Sequence, residues 1–159
     1  MLLLEKQVLI VSYINGSFPN DGYAPTIWDS YDSEGTSVKL SIYDTAGEED
    51  YDRIRPRSYP GTNVFIVCYA INDPASYSNV SQKWIPEIQK HCPTASIIVV
   101  GTKNDLRDNE DENIKRTATL KEQANDGCQY LECSALSSQG LKEVFEKLTD
   151  LALTQLQFQ

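Results

Sequence analysis

The sequence predicts an α/β fold, a doubly wound sheet with flanking helices, and three observations predict it. Val64 to Ile71 (VFIVCYAI) and Ser96 to Lys103 (SIIVVGTK) are unbroken, β-branched runs bounded by turn residues, the composition of strands covered on both faces. Between them, from Pro74 to Cys92, the apolar residues Tyr77, Val80, Trp84 and Ile88 recur at helical spacing, which makes a βαβ unit. The alternation then repeats towards the C-terminus, with polar loops after the strands, where ligands of such sheets gather.

Along the chain, QVLIVSYI at Gln7 to Ile14 has strand propensity. A short extended piece is expected at Ile27 to Tyr31, and Ser37 to Asp44 alternates apolar and polar residues as a strand nearer a sheet edge does. In the segment after Ile71, Pro86 predicts a kink and Pro93 closes the helix. An acidic loop spans Asp105 to Glu112, a short polar helix Thr117 to Asn125, and Gly127 turns the chain into a strand within Cys128 to Ala135. Leu141, Val144, Phe145, Leu148, Leu151 and Ala152 share one face of a terminal helix, with Ser137 and Ser138 as its expected caps and Gln155 ending the packed stripe. There is no internal repeat and no low-complexity linker.

Composition narrows the function. The 159 residues suit one globular domain, 1–159. With 23 acidic against 14 basic side chains, the net charge of −9 opposes a nucleic-acid backbone as partner. Cys68, Cys92, Cys128 and Cys133 have neither zinc-site spacing nor the density of a disulfide scaffold, and are expected as reduced thiols. The opening residues are too short and too polar a stretch to span a bilayer, and the single histidine, His91, leaves little scope for His-based metal or acid–base chemistry.

Three signals lie at strand exits: Asp44-Thr45-Ala46-Gly47-Glu48, Gly101-Thr102-Lys103-Asn104-Asp105, and Glu132-Cys133-Ser134-Ala135-Leu136. Together they resemble the small GTPases, and YDTAGEEDYDRIRPRSYP with KWIPEIQKHCP resembles the Rho/Rac branch. The resemblance extends from about Val11 to Leu151. It implies GTP/GDP and Mg²⁺ as cofactors, and effectors and exchange factors of the Rho type as protein partners. A carboxylate can accept both adjacent donors of guanine, the role implied for Asp105. Thr102, Lys103, Ser134 and Ala135 would complete the guanine site, with the Lys103 stem along the base, the Ala135 N–H at the guanine oxygen and Phe18 covering the other side.

Tyr23-Ala24-Pro25-Thr26-Ile27-Trp28-Asp29-Ser30-Tyr31 resembles the family's effector loop. In it Thr26 would touch Mg²⁺ and the terminal phosphate, while Asp44 would hold the metal through water. Thr45, Ala46 and Gly47 belong to the phosphate-sensing switch. Glu48 stands where the family uses a glutamine to orient water, and a carboxylate there adds negative charge and lacks the amide donor.

Four departures qualify the resemblance. No G-x-x-x-x-G-K-[ST] loop occurs in the chain, whose first glycine is Gly16. Aligning Ser12-Tyr13 with the family's first helix puts Lys6 at the phosphate-binding lysine, with Glu5 and Gln7 replacing its neighbours; Lys6 is either a remnant of that lysine or a charge on a polar helix face. The family's first strand is missing or replaced, which leaves two interior sheet edges unpaired unless Gln7 to Ile14 abandons the helix and fills the gap. Finally, the hairpin between Tyr31 and Val38 is short, the branch's helical insert is reduced to about Asn109 to Thr117, and LALTQLQFQ carries neither a C-a-a-X box nor a polybasic run, so no lipid anchor and a cytoplasmic location are expected. The function expected is a Rho-family GTP-dependent switch with impaired nucleotide binding and hydrolysis. The alternatives are a catalytically dead Rho-like interaction module or the product of a truncated gene.

Overall fold

A computed structural model describes residues 3–19, 28–34, 39–122 and 127–157. Helix α1 (Leu3–Asn15) opens the chain. Strands β1 (Trp28–Glu34) and β2 (Lys39–Thr45) form an antiparallel pair. Then come β3 (Val64–Ala70), α2 (Pro74–Asn79), α3 (Ile85–His91), β4 (Ser96–Thr102), α4 (Glu112–Glu122), β5 (Gln129–Glu132) and α5 (Leu141–Gln157). A second sheet has the order β3-β4-β5, all parallel.

The buried runs behave as their composition requires. Ile98, Val99 and Val100 of β4 are fully buried because helices cover both faces of the sheet. On one face Leu9 and Ile10 of α1 meet Cys68, Ile98, Val100, Phe145 and Leu148. On the other, Val67, Tyr69 and Val99 meet Tyr77, Val80, Ile85, Ile88 and Ile114. Alternate residues of each strand feed opposite cores, so the two layers of helices follow from the period-2 side-chain pattern.

Pro86 has a specific effect. It lacks an N–H and its ring crowds the preceding turn, and the helix widens into a π turn at Val80–Trp84, where the Ile85 N–H bonds to the Val80 carbonyl. The expected kink is therefore a change of winding between α2 and α3.

Gln7 to Ile14 is helical throughout, the reading preferred over the strand alternative: its backbone is satisfied internally, and Leu9, Ile10 and Tyr13 bury one face. Two other expectations need correction. The polar helix begins at Glu112, ahead of Thr117, so Glu112 to Thr117 belongs to α4 and not to a separate reduced insert; Asn125 lies outside the described residues. Ser137 and Ser138 do not cap α5, which starts directly after Gly140. Gly140 has φ +73°, and a Cβ there would lie 2.3 Å from the Glu132 carbonyl, so this position sets where the helix starts. α5 itself runs on to Gln157, and at Gln155, where the packed stripe is expected to end, the side-chain amide donates to the Ser96 hydroxyl at 3.1 Å. As expected from the missing strand, β2 and β3 are not paired.

Candidate nucleotide site

The predicted residues fall at strand exits in two groups. In the first, Thr102 ends β4, buried, its hydroxyl donating to the Tyr69 carbonyl at 3.0 Å. Lys103 then turns the chain with φ 64° and ψ 37°, a left-handed conformation unusual for a residue with a Cβ. That turn starts the short 3₁₀ segment Asn104–Leu106, in which Asp105 is exposed. The Asn104 N–H bonds to the Cys133 carbonyl at 3.1 Å, tying the β4 exit to the β5 exit. Ser134 is fully buried; its N–H donates to the Gln139 carbonyl and its hydroxyl accepts from the Ser137 N–H. Lys103, Asp105, Ser134 and Ala135 thus lie on two loops joined by a backbone hydrogen bond. Phe18 follows α1 and is 38% exposed.

Behind these loops Glu132 accepts from Arg107 and from Lys121. Burial pushes the Glu132 carboxyl up, but the hydrogen bonds from the two cations outweigh it and hold the group below the usual carboxylate range. Burial likewise pushes the neighbouring Cys133 thiol up to about 12, so it is an inert core thiol.

The second group follows β2. Asp44 is 2% exposed, and the Lys6 ammonium stands 3.8 Å from its Oδ1 while donating to the Thr45 carbonyl at 2.8 Å. Ala46 is buried, Gly47 half-buried against Trp84, and Glu48 exposed. Tyr23, Ala24, Pro25, Thr26 and Ile27 lie outside the described residues, and Trp28, Asp29, Ser30 and Tyr31 run in β1.

Sequence reasoning missed what holds this loop. Arg55 is 6% exposed; its guanidinium donates to the Ala46 carbonyl at 2.9 Å, to the Glu48 carbonyl at 3.4 Å, and to Glu87 of α3 through two nitrogens at 3.0 and 2.7 Å. It also pairs with Asp52 and lies 4.8 Å over the Trp84 ring. Tyr59 donates its hydroxyl to Glu87. Burial raises the Glu87 pKa, yet the bonds from Arg55 and Tyr59 prevail and lower it overall. Burial similarly lowers the Arg55 pKa, and the carboxylates of Glu87 and Asp52 more than reverse this. The only sequence signal was the family-like run around Arg55, which assigns it no partner.

Of the two residues implied for Mg²⁺, Thr26 lies outside the described residues and the Asp44 carboxylate has the Lys6 ammonium 3.8 Å from its Oδ1. Among the described residues no group of three or more His, Cys, Asp or Glu side chains could hold a metal.

A parallel sheet with two recognition loops at its strand exits is the architecture of the small GTPases. A family model described as the Ras family matches residues 4–154, and the chain belongs to that family. Members of the family bind GTP or GDP with Mg²⁺ and meet effectors and exchange factors. No helix among the described residues is long and apolar enough to cross a membrane.

Proposed function

We propose that this chain is a Rho-type small-GTPase-like signalling protein that keeps the guanine-recognition loops and the partner-binding segments but binds and hydrolyses GTP poorly. The observation that carries this reading is the engagement of Lys6 with the Thr45 carbonyl and Asp44. The cation aligned with a phosphate-binding lysine and the carboxylate aligned with a metal holder face each other. A Lys6 ammonium engaged in this way is not directed at a phosphate, which supports weak attraction for a triphosphate. Glu48, exposed and acidic, supports impaired hydrolysis. Cys92 and Cys133 form no disulfide, in keeping with a cytoplasmic setting.

Calorimetric titration of the 159-residue chain with GTP and Mg²⁺ tests the proposal. Dissociation constants weaker than about 10 µM are expected, and submicromolar binding would overturn it.

The second reading, a dead interaction module, is favoured by the Arg55 network, which orders Ala46 to Glu48 with protein groups alone. On that reading, affinity for a Rho-type exchange-factor domain does not respond to nucleotide. A change of tenfold or more on adding GTP and Mg²⁺ would exclude it.

A further inference from the structure

Glu132 ends β5, and its side chain lies behind the loops that follow β4 and β5, 17% exposed. Two cations reach its carboxylate. Arg107 donates through Nε at 2.9 Å and through a terminal nitrogen, and Lys121 donates through Nζ at 2.8 Å. They are anchored differently. Lys121 stands near the far end of α4, whereas Arg107 directly follows the 3₁₀ segment Asn104–Leu106 that carries Asp105.

Through Arg107 the contacts close into a ring. The Arg107 N–H donates to the Asn104 carbonyl at 3.0 Å, and the Asn104 N–H donates to the carbonyl of Cys133, the residue after Glu132, at 3.1 Å. The guanidinium then returns to the Glu132 carboxylate. Asp105 is held within this ring and exposed to solvent, two residues after the left-handed Lys103, whose carbonyl accepts from the Leu106 N–H at 3.0 Å. A left-handed turn at a residue with a Cβ persists only where the surrounding contacts fix it. A planar guanidinium gripping a carboxylate with two nitrogens fixes direction as well as distance, while an ammonium acts as a point charge.

We propose that Arg107 is the positioning residue of the guanine-recognition loop: its two-pronged contact with Glu132 sets the direction of the Asp105 carboxylate, so that one carboxylate meets both donors of the base. The inference rests on the reading of Asp105 as the guanine acceptor. Lys121 neutralises the same Glu132 from α4 and has no part in that direction.

The test compares GDP with IDP, whose base lacks the amino group and so offers Asp105 one donor in place of two. Each is titrated calorimetrically into the full chain up to about 5 mM. The wild-type chain should prefer GDP about tenfold, the effect of one hydrogen bond to a charged acceptor. In Arg107→Met that preference should fall to about twofold or less, with amide exchange at Asn104 about tenfold faster. Arg107→Lys keeps the charge without the fork and should retain a preference of about threefold; it carries the test if Arg107→Met does not fold. Lys121→Met removes the other cation from Glu132 and should keep the full preference and the wild-type exchange at Asn104. A merely stabilising charge cluster would instead lose the preference alike in both methionine variants. Equal binding of GDP and IDP by the wild-type chain, or binding of neither, would overturn the inference together with the guanine reading. A wild-type preference that survives in Arg107→Met, that is lost equally in Lys121→Met, or that is lost without faster exchange at Asn104 would overturn the inference alone.

Discussion

Arg55 shows how one side chain can organise a loop. Its guanidinium has five donors in a fixed fork, and here they reach two carbonyls of the Asp44 to Glu48 segment, Glu87 and Asp52. A buried cation held this way depends on its counter-ions. Glu87→Gln should therefore destabilise the protein by about 2–3 kcal/mol at neutral pH in urea unfolding, mostly because Arg55 is left under-neutralised. The pH dependence has a defined sign. The folded Glu87 carboxyl lies below its ordinary 4.5, so its stabilisation is complete above that value and is lost as pH falls through the lower folded pKa. The difference between wild type and Glu87→Gln should accordingly shrink below about pH 4.5. A constant difference down to pH 3 would refute the account. None of this was legible in the sequence, because Arg55 and Glu87 are brought together by the docking of α3. Thr102, Lys103, Asp105, Ser134 and Ala135 were legible because each follows directly from a recognisable strand.

Helix and turn boundaries obey local chemistry where a local group is present to act. Asp73 caps α2, its side chain accepting from the Ala75 and Ser76 N–H groups at 3.0 and 3.2 Å. Asp73→Ala should cost about 1 kcal/mol, read as a lower urea midpoint with an unchanged slope. The start of α5 depends instead on a distant contact, the approach of Gly140 to the Glu132 carbonyl. Gly140→Ala adds both a disfavoured φ and an overlap with backbone, and about 3 kcal/mol of destabilisation is expected in the same assay. Ser137 and Ser138 looked like caps because their type suits the role. The chain instead uses that stretch to return the Ser134 hydroxyl to the Ser137 N–H. The π turn ahead of α3 lies between these cases: Pro86 made a disturbance predictable, while its form depended on keeping Val80 and Ile85 in the same core.

Across the whole molecule, the sheet is divided and the helices bridge it. α1 contacts both β2 and α5, and Tyr13 stacks on Phe145 with centroids 3.8 Å apart and planes 9° from parallel. Phe145 is fully buried at the junction of α1, α5 and the three-stranded sheet. Phe145→Ala should cost about 3–5 kcal/mol, with faster amide exchange across α1 than across β4. Equal loss of protection in both elements would show that α1 is not a separate layer.

By itself the sequence determined the strands that are buried on both faces, the helices between them and the loops at their carboxyl ends. Those features follow from hydrophobic period and turn chemistry, which act over a few neighbouring residues. QVLIVSYI reads as a helix against its own strand propensity, and the tertiary structure supplies the reason: Leu9, Ile10 and Tyr13 pack on Phe145 and its neighbours. The tertiary structure alone decided that Lys6 faces Asp44. That pairing joins groups far apart in the chain, and no local pattern encodes a distance between them.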